Sequence, residues 1–170
     1  MNFILSIFVT LILTTSAIAD KKASSYIFLG GHSSTILEND AMFYTLGFGW
    51  DRTLENSIYL GGIFAFNFGS IDIKDEQTNR IKSKSITGYD VDLRLGYSID
   101  SVDIFSILGV AAQNFNNVSA YGFGYGAGAL WHVNKSWDIG SEYKTHRMSP
   151  DKSLDNYDYD LFVIRLGFRW

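Results

Sequence analysis

Residues 87–97 read TGYDVDLRLGY, and this stretch decides the fold class of the chain. Every second residue from Tyr89 to Tyr97 is apolar or aromatic, and the positions between them carry glycine or a charge. Alternation with a period of two is typical of a β-strand with one apolar and one polar face, whereas a helix repeats about every 3.6 residues. The stretch therefore predicts a strand.

The same alternation recurs along most of the chain. It is clear in five further segments, which are residues 42–50, 58–68, 121–131, 137–145 and 162–170. Two weaker segments, 26–31 and 104–113, also indicate strands, but their pattern does not assign their faces. Most of these roughly eight strands are near the 9–11 residues that a tilted strand needs to cross a membrane.

The links between the predicted strands differ in length at the two ends. One end has short links, at residues 51–56, 98–101 and 134–136. The other end has a long polar link, a link with the only proline and two modest links, at residues 70–85, 148–157, 33–40 and 114–120. Short turns opposite longer loops are typical of membrane barrels. We therefore predict an all-β fold, an eight-stranded antiparallel up-and-down transmembrane β-barrel.

Composition excludes several other classes of protein. The chain has 170 residues, which is enough for one domain, and its 16 glycines and 16% aromatic residues are atypical of a disordered segment. The absence of cysteine from the sequence excludes a disulfide framework and a thiolate zinc site. A net charge of -4 without basic clusters argues against a nucleic-acid partner.

The N-terminal segment is predicted to be an export signal. Residues 3–13 are almost entirely apolar, and they lead into Ala17-Ile18-Ala19, a small-x-small pattern of the kind that signal peptidase cleaves. An apolar run of this length is too short for a permanent membrane helix, which needs about 20 residues. We expect a signal peptide at residues 1–19 and the outer-membrane β-barrel domain at residues 20–170.

Aromatic residues indicate which face of the barrel meets lipid. All four tryptophans fall at the short-link ends of strands, where an interfacial girdle would lie. Tyr121 and Trp131 are ten positions apart, which is about 33 Å along a strand and about 25 Å in height when it is tilted. A secreted β-sandwich with a solvated charged face is the alternative. The predicted girdle consists of Trp50, Tyr97, Tyr121, Trp131, Trp137 and Trp170.

The opposite face is then the interior of the barrel. Charges enclosed in a narrow barrel must be neutralised and hydrogen-bonded, and residues of both signs are present on this face. The glycines at 122, 124, 126 and 128 repeat with period two, so they are expected to clear space for side chains of neighbouring strands rather than to form a nucleotide-binding loop. The predicted interior polar network consists of Asp90, Asp92, Arg94, Glu142, Lys144, His146 and Arg165.

These features together resemble a known family. The strand ending at Tyr97, the Gly-Tyr-Gly-Ala-Gly segment at 124–128, the Glu142-Tyr143 pair and the final strand are similar to those of small OmpA/OmpX-like outer-membrane β-barrels. The resemblance implies export to a Gram-negative outer membrane. It also implies that the barrel-assembly machinery reads the alternating residues of the last strand, which here are Phe162, Ile164, Leu166, Phe168 and Trp170.

A non-enzymatic role at the cell surface is the first functional hypothesis. The outer links at 71–84 and 151–160 are candidates for contact with a host or matrix ligand, with outer-membrane lipid and lipopolysaccharide as the surrounding partners. The interior of an eight-stranded barrel is just wide enough for its own side chains. A structural or adhesion role is therefore expected, and a narrow pore is a less favoured alternative.

A lipid A-modifying enzyme, a deacylase or acyltransferase, is the second hypothesis. It would need a nucleophile and a base at the outer rim, open to lipid. The candidates are His32 beside two serines and His146 near Ser149, although the parity of His146 directs it into the interior. His132 is interpreted as an ordinary interfacial side chain. Neither a metal site nor a cofactor is predicted, and no residue is assigned as catalytic.

Overall fold

The computed structural model describes residues 23–36, 39–75, 80–115, 118–151 and 155–170. The predicted signal peptide at residues 1–19 lies outside these ranges, so it stays a prediction. Within the described ranges, no helix is long and apolar enough to cross a membrane.

Eight antiparallel strands pair in chain order and close into a barrel. The first and last strands complete the ring, with Leu29 opposite Leu166. Closure satisfies the backbone hydrogen bonds that an open sheet would leave unpaired in lipid. The predicted eight-stranded fold is confirmed. The strands are β1 (Ala23–Ile36), β2 (Asn39–Thr53), β3 (Ile58–Asp75), β4 (Arg80–Ile99), β5 (Val102–Phe115), β6 (Val118–His132), β7 (Trp137–Pro150) and β8 (Tyr157–Arg169).

The structure assigns the faces of the two strands whose sequence patterns were ambiguous. In β1, Tyr26 and Phe28 point into the barrel and are buried, while Leu29 points outward. In β5, Phe105 and Ile107 point inward. Both faces of these strands are apolar because the outer face meets lipid while the inner face packs against other interior side chains. The sequences of β1 and β5 therefore lack polar–apolar alternation, because the part of the interior that they line is itself apolar.

The three short links lie together at one end of the barrel. They connect β2 to β3, β4 to β5 and β6 to β7, and two of their residues adopt the left-handed region, Ser57 with φ 63° and Asp100 with φ 53°. In the third turn the side-chain oxygen of Asn134 accepts hydrogen bonds from the backbone N–H groups of Ser136 and Trp137, at 2.8 and 2.9 Å. We call this the turn end and the opposite one the loop end.

At the loop end, the predicted extent of the links is wrong. The supposed long link at 70–85 is largely strand, because β3 continues to Asp75 and β4 begins at Arg80. The links predicted at 33–40 and 114–120 are also shorter than expected, since β1 reaches Ile36 and β5 reaches Phe115. Beyond Ile71 and Ile86, β3 and β4 continue as a backbone ladder between these two strands, although the sequence there is largely polar.

Three apolar clusters fill much of the interior. The two smaller ones, around Tyr26 with Ile63 and around Tyr59 with Phe105, line the half of the barrel near the turn end. The largest lies in the half near the loop end and consists of Ala41, Phe43, Ile71, Ile86, Ala111, Ala120, Met148, Tyr159, Leu161 and Val163. Polar side chains are thus sandwiched between apolar layers, which keeps water away from the middle of the barrel.

Candidate functional site

The middle of the interior holds a central ionic layer, which we define as Asp90, Asp92, Arg94, Glu142, Lys144 and Arg165. The Lys144 Nζ atom lies 3.0 Å from Asp90 Oδ2 and 2.7 Å from Asp92 Oδ2. Strand β4 pairs with β3 and β5, and β7 pairs with β6 and β8, so these bonds cross the lumen. Lys144 therefore ties together two walls that have no backbone contact with each other.

Glu142 is the second centre of the same layer. Its Oε1 atom lies 2.5 Å from Arg94 Nη2 and 3.2 Å from Arg165 Nε. Arg94 also donates to the hydroxyl of Tyr26 at 2.9 Å. Each guanidinium also lies over an aromatic ring, Arg94 at 4.9 Å from the centroid of Phe105 and Arg165 at 5.2 Å from that of Tyr26.

The charges of the central ionic layer balance. Three carboxylates face three cations, and every member is 3% exposed or less. A buried charge is costly unless it is paired and hydrogen-bonded, so neutrality is what this position requires. The side chains of the layer lie across the lumen and pair with each other there.

A hydrogen-bond chain extends from this layer toward the loop end. Asn67 donates to Asp90 at 3.0 Å, and the Thr45 hydroxyl donates to Asn67 at 2.7 Å. Since the one hydroxyl proton of Thr45 is used there, His32 Nδ1, at 3.0 Å, must donate to Thr45. A neutral His32 then accepts at Nε2 from the Tyr159 hydroxyl at 3.1 Å. These contacts fix the tautomer of His32 and make it part of the interior.

A separate mouth network closes the interior at the turn end. We define it as Asp51, Asp103, His132, Asp138 and Arg169. Arg169 binds both carboxylate oxygens of Asp51, at 3.1 and 2.9 Å, and lies 3.4 Å from Asp138. Asp103 lies 2.7 Å from His132 Nε2 and accepts from Ser98 at 2.6 Å. Three carboxylates thus share one arginine and one histidine.

The sequence interpretation missed this second network. His132 was expected at the interface with lipid, but its ring lies against Asp103 inside the mouth, so that expectation is wrong. The parity of β6 could have shown it, because His132 continues the inward series that includes Leu130. The inward positions of Asp51, Asp138 and Arg169 next to short turns were the other available signal.

The glycines of β6 sit where side chains of neighbouring strands need room. A Cβ atom at Gly128 would lie 2.7 Å from Glu142 Cγ and 2.8 Å from Phe105 Cε2. A Cβ atom at Gly124 would overlap the ring of His146. His146 itself is buried, with its ring centroid 6.0 Å from that of Tyr159. This geometry explains the bare inner face of β6.

Aromatic residues of the predicted girdle face outward. Trp50, Trp131, Trp137 and Trp170 all lie at the turn end, as does Tyr97, while Tyr121 lies toward the loop end. Trp137 packs edge-on against Phe168 at 5.2 Å between ring centroids. The outward apolar side chains of β8 are Phe162, Ile164, Leu166 and Phe168, and the exposed Trp170 follows the strand directly.

Histidine and serine residues are not combined on the lipid-facing surface. His32, Ser34 and His146 point into the barrel and are buried. Ser149 is exposed on the outer face of β7, so the barrel wall separates its hydroxyl from the ring of His146. Within the described residues, no group of histidine, aspartate and glutamate side chains has the geometry to hold a metal ion.

Comparison with solved structures identifies proteins with this architecture. The chain resembles the crystal structure of Ail, the attachment invasion locus protein of Yersinia pestis, in complex with the heparin analogue sucrose octasulfate. That likeness has a TM-score of 0.57 at 16% identity and covers 88% of this chain and 100% of Ail. No protein-family model matches the chain, and no curated protein sequence matches it significantly. The fold is that of the small outer-membrane β-barrels.

Two further structures show how widely this fold is used. Neisserial surface protein A has a TM-score of 0.57 at 8% identity, over 88% of this chain and all of that protein. The outer membrane enzyme PagL has a TM-score of 0.58 at 15% identity, over 82% of this chain and 97% of PagL. The predicted resemblance is confirmed at the level of the fold. These structural neighbours are bacterial outer-membrane proteins, in agreement with the predicted location. Because an enzyme is among them, the fold alone does not assign an activity.

Proposed function

We propose that this chain is a non-enzymatic outer-membrane barrel with a closed interior, and that it presents an outer ribbon to ligands at the cell surface. The observation that carries the proposal is the extension of β3 and β4 beyond the barrel wall. Pairing of β2 with β3 ends at Ile71, and pairing of β4 with β5 ends at Ile86. Beyond those points the two strands pair only with each other, up to Asp75 opposite Arg80.

The positions of the short turns support an orientation in which this ribbon lies outside the cell. Short turns face the periplasm and longer segments face the exterior in bacterial outer-membrane barrels. The three short turns lie together at the turn end, and the ribbon rises from the loop end. A protein of this kind would display residues 72–75 and 80–85 above the lipid, where a soluble or cell-bound partner can reach them.

The closed interior supports this role over conduction. The central ionic layer crosses the lumen, and apolar clusters lie on both sides of it. An ion would have to displace paired, buried charges in order to pass. Planar-bilayer recording of the purified chain should therefore show no steady conductance. Regular single-channel steps from the wild-type protein would contradict a closed barrel.

The positions of the histidines support a non-enzymatic role. His32 and His146 point inward, while an acyl chain would lie against the outer face. Lipid A extracted from cells with and without the protein should give the same acyl pattern by mass spectrometry. A lost or added acyl chain would replace the proposal with lipid A deacylation or acyl transfer.

The ribbon is suited to an anionic glycan. Its sequence carries the cations Arg80, Lys82 and Lys84 at alternate positions of β4. Ail, which shares the fold, has been crystallised with a heparin analogue. We propose a sulfated or otherwise acidic polysaccharide of host or matrix as the ligand class.

Binding of cells to immobilised heparin tests the ribbon. Cells that express R80Q/K82Q should bind severalfold less than cells that express the wild type, because two cationic contacts are lost. The matched control is K135Q, which removes an exposed lysine at the turn end and should leave binding unchanged. Equal losses in the two variants, or none in either, would refute a ribbon site.

Two further assignments belong to this proposal. We propose that the outward series of β8 is the segment that the barrel-assembly machinery recognises, because its apolar side chains alternate on one face up to Trp170. We also propose that the aromatic girdle sets the position of the barrel in the membrane. Wild-type protein from the membrane fraction should migrate differently on a denaturing gel before and after boiling, as a folded barrel does.

A further inference from the structure

A groove runs along the lipid-facing surface near the loop end. Its volume is about 1050 Å³, and it spans the outward faces of β4 to β8. Strand register explains its shape, because the small Ala112 of β5 lies between Tyr89 of β4 and Tyr121 of β6 in one row. In the next row toward the turn end, Val91 and Val110 stand beside a third aromatic residue, Phe123. The result is an apolar floor with aromatic walls.

A cation lies at one side of this apolar groove. Arg147 of β7 is exposed and is the register partner of Phe123 on one side and of Asp158 on the other. Among the described side chains, no ion pair within 4.0 Å joins Arg147 to a carboxylate. A basic residue on the lipid face of a barrel is strongly destabilising at the bilayer midplane and much less so near the interface.

Arg147 lies close to the loop end of the barrel. Its strand ends three residues further on, at Pro150, where the backbone N–H of Asp151 bonds to the Ser119 carbonyl at 2.8 Å. Arginine side chains at such positions extend toward the interface and keep the guanidinium among polar groups. A phosphate is the partner that a planar guanidinium binds best, through two parallel hydrogen bonds. An apolar groove that leads to such a cation fits a phosphorylated lipid.

We propose that this groove binds the lipid A part of lipopolysaccharide, with acyl chains between Tyr89 and Tyr121 and a lipid A phosphate on Arg147. The assignment rests on the proposed outer-membrane location, since the loop end then faces the leaflet that contains lipopolysaccharide. Ser149 lies beside Tyr121 and adds a hydroxyl on the same face. The carboxylate of Asp158, the register partner of Arg147, repels a phosphate and so lowers the affinity of the groove for it.

Native mass spectrometry of the purified full chain in detergent tests this site. The probe is bisphosphorylated hexa-acyl lipid A, and the readout is the fraction of barrel that retains it. We expect R147M to bind about tenfold less tightly, the loss that follows removal of one charge-assisted contact. We expect D158N to bind more tightly than the wild type. Opposite signs for two neighbouring substitutions would not follow from a general loss of fold.

A second pair of variants tests the apolar part. A112W fills the groove floor and should reduce lipid A retention severalfold. The matched control A129W adds the same ring on the outer face of the same sheet near the turn end, and should not change retention. Each variant is first checked for the mobility shift on boiling, so that only folded barrels are compared.

The outcomes separate the possible occupants of the groove. Equal, Arg147-dependent retention of phosphatidylglycerol would overturn the assignment to lipid A. A change of oligomeric state in A112W without a change in lipid retention would overturn it in favour of a second copy of the chain. Unchanged retention in R147M would overturn the phosphate contact. These results are distinct from failure of the surface role, which the heparin and bilayer experiments measure.

Discussion

The central ionic layer and the mouth network both pair buried carboxylates with cations, but they differ in charge balance and in exposure to water. Both place carboxylates inside an eight-stranded barrel. The central layer balances its charges and is 3% exposed or less, whereas the mouth network has three carboxylates against Arg169 and His132. In the mouth network, the side chains of Arg169 and His132 are 15% and 23% exposed.

The difference follows from access to water. In the middle of the barrel an unpaired charge has no solvent to stabilise it, so cations and carboxylates must match. At the mouth, the three carboxylates are also buried, but Arg169 and His132 are partly exposed, so water can replace part of their interactions. Substitutions of equal kind should therefore cost more free energy of unfolding in the centre than at the mouth, and this ordering can be measured.

The largest effect is expected for K144M. Lys144 is the direct ion-pair partner of both Asp90 and Asp92, and its loss leaves two carboxylates facing each other in the centre. Removal of one partner from a buried ion pair costs about 3–5 kcal/mol. Reversible unfolding of the barrel in lipid vesicles, followed by tryptophan fluorescence, measures this loss.

A charge-balanced double variant tests the physical reason. D92N/K144M removes one carboxylate along with the cation and leaves two charges of each sign, while Asp90 keeps its hydrogen bond from Asn67, so the double variant should recover part of the stability lost in K144M. If the double variant were as unstable as the single one, volume rather than charge would be the cause. The central layer would then no longer differ in kind from the mouth.

R169M should have an intermediate effect. Arg169 binds Asp51 in a bidentate manner and lies near Asp138, and these carboxylates lose their cation in the variant. We expect a loss of about 1–3 kcal/mol, below that of K144M, because water can replace part of the interaction. The same unfolding assay applies. A loss equal to that of K144M would show that the mouth is as dry as the centre.

Period-two alternation was sufficient for the fold. It gave the strand order and the inward parity of Asp90, Asp92 and Arg94, because one face had to be apolar against lipid. It failed for β1 and β5, where apolar clusters occupy the interior, and the polar composition of residues 72–75 and 80–85 concealed the extension of β3 and β4. Alternation reports a difference between two environments, so it is silent when both faces see the same one.

Spacing in the sequence could not reveal which residues touch across the lumen. The contact between Lys144 and Asp90 depends on the tilt and register of strands 54 positions apart in the chain. The Asp103 and His132 pair likewise depends on register, 29 positions apart. The groove at Ala112 arises from three neighbouring strands. Each of these contacts, and the groove, depends on how the strands pair in three dimensions, which a local sequence pattern does not encode.

G128A should cost about 1–3 kcal/mol. The added Cβ atom would lie within 3 Å of Glu142 Cγ and Phe105 Cε2, so the central layer would have to shift. The matched control is G31A on the outer face of β1, where the nearest atom would be 3.9 Å away. Equal unfolding free energies for the two variants would contradict tight packing in the centre.

H132F should have the smallest effect of the four. It removes the hydrogen bond to Asp103, but Asp103 keeps the bond from Ser98 at 2.6 Å, and the His132 side chain is already 23% exposed. The expected loss is about 0.5–1.5 kcal/mol, the usual net contribution of one hydrogen bond. Adding S98A should lower stability further, because Asp103 would then lose both of its partners. If H132F alone destabilised the barrel as much as K144M, exposure to water would not explain the difference between the two networks. The excess of carboxylates at the mouth would then need another physical cause.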